Sequence, residues 1–212
     1  MLTLVIGGAA SGKSAYAEHL AVQSGGPRYY LATMQVWDAE CAARVAKHRA
    51  MRAQKQFATV ECPQNLHLVR LPQQGTALLE DLGNLAANEL YRPDGSCLPP
   101  KQAAEKMLAG IEAIAAQCNH LIIVSNEVFS GGADYAGETD LYLQALAMVN
   151  NAVAAKADAA IHRLDIGRTQ GDKFVRQNGF QSTRAGGKKA VDMHGVPGRA
   201  AGPLPATLRK SA

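Results

Sequence analysis

A three-layer α/β/α domain with a mainly parallel sheet is the fold that this 212-residue chain predicts. Two patterns predict it. Short apolar runs rich in β-branched residues alternate with longer stretches that carry Ala and Leu at helical spacing, as expected of buried parallel strands joined by crossover helices. In addition, residues 7–14 read GGAASGKS directly behind the first apolar run, a glycine-rich turn between a strand and a helix.

The predicted strands are residues 2–6, 28–33, 77–80, 121–125 and 159–164, with a weaker one near Thr59. Between them, residues 13–23, 38–54, 81–91, 101–117 and 141–157 read as helices because their apolar positions recur at helical intervals. Residues 92–100 hold Pro93, Gly95, Pro99 and Pro100 and read as a loop, whose last proline suits the first position of the next helix. No internal repeat is visible.

Composition narrows the class. A hydrophobic share of 47% fits a globular domain, and no apolar run reaches the roughly 18 to 20 residues of a membrane span. The chain opens with MLTLVIGG, without a basic region or a cleavage pattern, so no secretory signal is expected and the cytoplasm is the expected compartment. Cys41, Cys62, Cys97 and Cys118 are far apart and form no CxxC pair. Reduced thiols are expected, rather than disulfides or a zinc site.

Charge divides the chain at its C-terminal end. From Gly167 onward there are 9 Lys/Arg against 2 Asp/Glu, and before it 13 against 16, so the body carries −3 and the tail +7. Residues 1–167 read as the nucleotide-binding catalytic domain, and the basic, Gly/Pro-rich residues 168–212 as a flexible, largely disordered tail. Such a tail can attract nucleic acid or a phosphorylated ligand. A solubilising extension explains it better, and no nucleic-acid partner is expected.

The chemistry is concentrated at two places. Gly7, Gly8 and Gly12, with Ala9, Ala10 and Ser11 between them, let the backbone curl around an anion at a helix N-terminus. Lys13 then supplies a point charge for the β and γ phosphates, and the hydroxyl of Ser14 is the expected magnesium ligand. This makes the chain a P-loop NTPase of RecA-like kind. The second place is the helix predicted at residues 38–54, where Arg44, His48 and Arg52 recur every four residues with Arg49 alongside. An imidazole between guanidinium groups suits a polyphosphate, although spacing alone fits a solvated basic face better. Glu80 and Asp81 end one strand, and Asn126 and Glu127 follow another. Glu127 is a candidate magnesium ligand or a helix cap. His19, His67, His120 and His162 have no partner within helical or strand reach and read as surface or boundary histidines.

Five pieces in register carry a resemblance: GGAASGKS with Ala17-Glu18 behind it, YLATMQVWDAECAARVAKHRAMR, LLEDLGNLAANEL, LIIVSNEV and VNNAVAAKADAAI. From Met1 to about Gly167 the chain resembles the bifunctional adenosylcobinamide kinase/adenosylcobinamide-phosphate guanylyltransferases of cobalamin biosynthesis. The resemblance implies phosphorylation of a corrinoid substrate, adenosylcobinamide, followed by transfer of GMP from GTP, with Mg2+ and with GTP or ATP as phosphoryl donor. It implies that His48 is the nucleophile carrying GMP, that Arg49 and Arg52 stabilise charge, and that Ala32, Thr33, Met34, Glu61 and Glu80 contact the nucleotide. It also implies a homotrimer. The chain departs from the family pattern at Ala53 (proline there), Phe57 (tryptophan, offset by one), Phe129-Ser130 (Gly-Met) and residues 140–144, which lack an Arg-x-Phe-Arg-Asp pattern. Two other readings stay open: a P-loop kinase acting alone, and an inactive GTP-binding regulatory protein.

Overall fold

The computed structural model describes residues 1–36, 39–128 and 137–163, with some side chains of the second helix outside the description. In chain order the elements are β1 (Leu2–Gly7), α1 (Lys13–Gln23), β2 (Arg28–Ala32), α2 (Ala39–Gln54), β3 (Phe57–Glu61), a short helical turn at Leu66–Leu68, β4 (Thr76–Glu80), α3 (Leu82–Leu90), α4 (Pro100–Ala115), β5 (His120–Asn126), α5 (Glu138–Lys156) and β6 (Ala159–Arg163). The weak strand expected near Thr59 is β3. Residue 164, the end expected for β6, and the tail at 168–212 lie outside the described residues.

Local chemistry sets several boundaries. α4 starts at Pro100, which has no N–H to lose at a helix N-terminus. α5 starts at Glu138, three residues before the expected 141, because Glu138 and Asp140 favour the positive end of the helix dipole. α3 is capped by Asp81, whose carboxylate accepts from the Asn84 N–H at 2.8 Å.

The strands form a single six-stranded sheet in the order β3-β2-β4-β5-β1-β6, and every neighbouring pair is parallel. Parallel pairing forces each connection to cross over the sheet, so all carboxyl ends gather on one edge. Register aligns them. Gly7 pairs with Asn126 on one side and Arg163 on the other, while Ala32 pairs with Glu61 and Glu80.

Side chains alternate between two faces. Leu4, Leu31, Leu79, Leu121 and Ile123 are buried with residues of α3, α4 and α5, including Leu85, Met107 and Leu146. On the other face Val5, Leu78, Ile122 and Val124 meet Ala17 and Ala21 of α1. The small side chains of α1 let that helix lie close to the sheet, which holds its N-terminus against β1. The strands are hydrophobic on both faces because helices cover both.

Two of the histidines expected at the surface or boundary, half-buried His120 and exposed His162, meet partners far along the chain. His120 shares hydrogen bonds with Thr3 Oγ1 at 2.9 Å and Ser24 Oγ at 3.1 Å, and His162 Nε2 meets Glu127 Oε2 at 2.6 Å. Their partners are 117, 96 and 35 positions away and are brought in by sheet pairing, which helical or strand spacing cannot reveal. Cys62, Cys97 and Cys118 are free thiols, and burial pushes the Cys62 thiol up to about 12. No described helix is long and apolar enough to cross a membrane.

Gly75 lies where the loops before β2, β4 and β5 meet. A Cβ there would stand 2.3 Å from the Pro27 carbonyl oxygen, and the same backbone holds Thr76 N to Pro27 O at 2.9 Å and Asn119 N to Gly75 O at 2.8 Å. Gly75→Ala is therefore expected to destabilise the domain by about 1–3 kcal/mol through overpacking, read as a lowered midpoint in urea unfolding. An unchanged midpoint would contradict the close approach.

A candidate nucleotide site at the carboxyl edge of the sheet

The turn between β1 and α1 has the backbone that an anion requires. Ala10 and Gly12 are left-handed, at φ 58° and 73°, and Gly12 forms the N-cap of α1 without any side-chain cap. The first N–H groups of a helix have no partner within the helix, and here no acidic residue in the first turn competes for them. Ser11 N donates to Gly8 O at 3.4 Å and closes the turn. Gly7 has no alternative: a Cβ would lie 2.5 Å from the Arg163 carbonyl oxygen and 2.6 Å from Ser11 Oγ.

Lys13 is almost entirely buried, and its Nζ donates to Gly8 O at 3.2 Å, which folds the ammonium back over the loop. Ser14 sends its hydroxyl to Glu80 Oε1 at the end of β4. The other Glu80 oxygen, Oε2, is buried and without a hydrogen-bond partner. Burial raises the Glu80 carboxyl from its ordinary 4.5 to about 7, the Ser14 hydrogen bond opposes that rise, and the neighbouring Asp81 charge adds to it.

The end of β4 is fixed from both sides. The buried Thr33 hydroxyl, just past β2, accepts from Asp81 N at 2.7 Å and shares its proton between Glu80 O at 2.8 Å and Asp81 O at 2.9 Å. From the other side, Asn126 Nδ2 donates to Asp81 Oδ2 at 3.2 Å. Asn88 Nδ2 in turn holds Thr33 O at 2.8 Å. Ala32, Thr33 and the half-buried Met34 thus form one short segment beside Glu80.

α2 sits toward the β3 edge. Arg52 is buried, with its guanidinium carbon 3.7 Å from the centre of the Tyr30 ring, a cation–π contact in a desolvated setting. Burial, reinforced by the Glu80 charge, raises the Tyr30 phenol well above its ordinary value. Arg49 is exposed and forms an ion pair with Glu61 at the end of β3. His48 belongs to α2, one position before Arg49, and its side chain, like that of Arg44, lies outside the described residues.

Glu127, the candidate metal ligand, donates its N–H to Gly7 O at 3.0 Å while its carboxylate is held by His162. The carboxylate that Ser14 meets is Glu80. Among the described residues no group of three or more His, Cys, Asp or Glu side chains gathers to hold a metal ion. Tyr30, the Thr33 hydroxyl as a clamp, and Arg163 were not singled out by sequence reasoning. Each acts through a contact between strands or across layers, and no local pattern announces it.

A parallel sheet with a glycine-rich turn, a buried lysine and a hydroxyl–carboxylate contact at its carboxyl edge defines a P-loop nucleotide-binding protein. The family model described as CobU, cobinamide kinase / cobinamide phosphate guanyltransferase, matches residues 3–165. The chain belongs to that enzyme family. It is 32% identical over 160 residues to the bifunctional adenosylcobalamin biosynthesis protein CobP of Pseudomonas aeruginosa, which covers 74% of this chain and 90% of the relative. It is similar also to the CobU proteins of Escherichia coli, at 33% identity over 170 residues, and of Salmonella typhimurium, at 31% over 169, each covering 74% of this chain and 92% of the relative.

Glu80 binds its proton more tightly in the folded chain than in the unfolded one. Its contribution to stability is therefore full below pH 4.5 and is lost as pH rises through about 7. Glu80→Gln removes that dependence. Without nucleotide, the wild type is expected to lose stability relative to Glu80→Gln across this window, by at most about 3 kcal/mol. Urea unfolding of both proteins at either end of the window reads the difference, and parallel curves would contradict the shift.

Proposed function

We propose that this chain phosphorylates the hydroxyl of adenosylcobinamide and then transfers GMP from GTP to the new phosphate through a histidine–GMP intermediate on His48. The observation that supports it most is the joined set of Lys13, Ser14 and Glu80, within a chain whose family match spans residues 3–165. The relatives bear the name of bifunctional adenosylcobalamin biosynthesis proteins. The corrinoid substrate, the use of GTP or ATP, a cytoplasmic place and a homotrimer belong to this reading.

In the first step, the N–H groups of residues 7–14 hold the β and γ phosphates and Lys13 offsets their charge, so that catalysis rests on positioning and electrostatics. The Ser14 hydroxyl and the unpartnered Glu80 Oε2 fit Mg2+, which takes few protein oxygens and keeps the rest of its shell for phosphate and water. When bound, that ion spreads charge from the phosphoryl oxygens. Glu127 is the second candidate for it, once freed from His162.

In the second step, an imidazole nitrogen of His48 attacks the α-phosphorus of GTP, the bond to the bridging oxygen breaks, and pyrophosphate leaves. A phosphate oxygen of adenosylcobinamide phosphate then attacks the same phosphorus, the P–N bond breaks and His48 is restored. This covalent route divides one difficult transfer into two. Arg49 and Arg52 stabilise the transferring phosphate, and Ala32, Thr33, Met34 and Glu61 contact the nucleotide. Release of Arg49 from Glu61 makes both available to it.

Incubation with magnesium and GTP labelled at the α-phosphate, followed by denaturing electrophoresis, tests this. The wild type is expected to carry an acid-labile, alkali-stable label, and His48→Ala none. Wild-type protein that binds GTP yet carries no label would exclude guanylyl transfer through His48 and favour a kinase acting alone.

A further inference from the structure

β6 ends in two residues that face opposite ways, as successive strand residues must. His162 turns to Glu127, its Nε2 lying 2.6 Å from Glu127 Oε2. Arg163 turns to α1, where its guanidinium carbon lies 5.0 Å from the centre of the Tyr16 ring. This half-buried cation has no ion-pair partner among the described residues, and its Nε is buried without a hydrogen-bond partner.

Its position is set by the phosphate loop. Gly7 pairs with Arg163 in the β1–β6 register, so closely that a Cβ on Gly7 would come within 3.2 Å of the Arg163 Cβ. At the far end of the loop, an arginine terminal nitrogen stands 3.6 Å from where a Cβ of Gly12 would be. The side chain therefore spans the loop from its first glycine to the glycine that caps α1. Tyr16, in the first turn of α1, lies within cation–π reach of the guanidinium, which limits the freedom it would lose on binding.

A partly desolvated guanidinium that meets no carboxylate among the described residues, beside an anion-binding turn, is costly unless an anion meets it. We propose that Arg163 is a second cation of the phosphate site, donating to the phosphate chain of the nucleotide held by residues 7–14. This rests on the nucleotide-binding reading above. Lys13 and Arg163 then approach the loop from α1 and from β6, and Tyr16 acts as the positioning residue for Arg163.

Titration calorimetry with GDP, on the full chain, separates the possibilities. Arg163→Met is expected to raise the Kd about 10-fold or more, the loss that a charge-assisted bond carries, and Tyr16→Leu to raise it by less. Arg163→Gln carries the same expectation and keeps a planar polar head, so it serves if Arg163→Met does not fold. Wild-type affinity in a folded Arg163 variant, with binding lost in Lys13→Ala, would overturn the role of Arg163 and leave the P-loop reading standing. If Lys13→Ala also binds GDP as the wild type does, the P-loop reading fails and this inference fails with it.

Discussion

The hydrogen bond between Ser14 and Glu80 is the contact on which the arrangement of the site depends. It joins residues 66 positions apart, one at the N-terminus of α1 and one at the end of β4, and β5 runs between their strands. It exists only because parallel pairing brings every carboxyl end to one edge and small residues let α1 lie against the sheet. Burial sets the electrostatics there: it raises Glu80 to about 7 against the opposing Ser14 hydrogen bond, and one carboxylate oxygen is unpaired. In the reading proposed above, that oxygen would give up its proton for a share of the cation that accompanies the nucleotide.

Around that contact the structure favours rigidity on one side. Thr33, Asn88 and Asn126 tie the Glu80-Asp81 turn to β2, α3 and β5, so the carboxylate has little room to follow a ligand. Preorganised groups of this kind stabilise charge without reorganising when it develops. α2 is attached differently, through Arg52 on Tyr30 and through the exposed Arg49–Glu61 pair. An exposed pair contributes little to stability, so separating Arg49 from Glu61, as the proposed guanylyl transfer requires, costs the fold little.

The fold was largely legible because its signals are periodic or local. Alternating apolar runs gave the strands, Ala and Leu spacing gave the helices, and GGAASGKS placed the phosphate turn. Boundaries moved where one residue outweighed periodicity, as with Pro100 and Glu138. The site was legible only in part. Lys13 and Ser14 are marked by their spacing from glycine, and His48 by the resemblance of its surroundings. The partner that Ser14 meets, the Thr33 clamp, the Tyr30 platform under Arg52 and the His162–Glu127 pair depend on which strands are neighbours. That order is not written in any local stretch, so His162 read as a histidine without a nearby partner and Glu127 as a candidate magnesium ligand or helix cap.

The central claim is that one chain phosphorylates a corrinoid hydroxyl and then transfers GMP to the new phosphate. Its most direct test gives the enzyme adenosylcobinamide, magnesium and both ATP and GTP, in parallel reactions labelled at the γ-phosphate of both nucleotides or at the α-phosphate of GTP, and follows the label into the corrinoid. Both labels should appear there, the first as phosphate and the second as attached GMP. Incorporation of the γ-label alone would limit the chain to a kinase, and incorporation of neither would contradict the account.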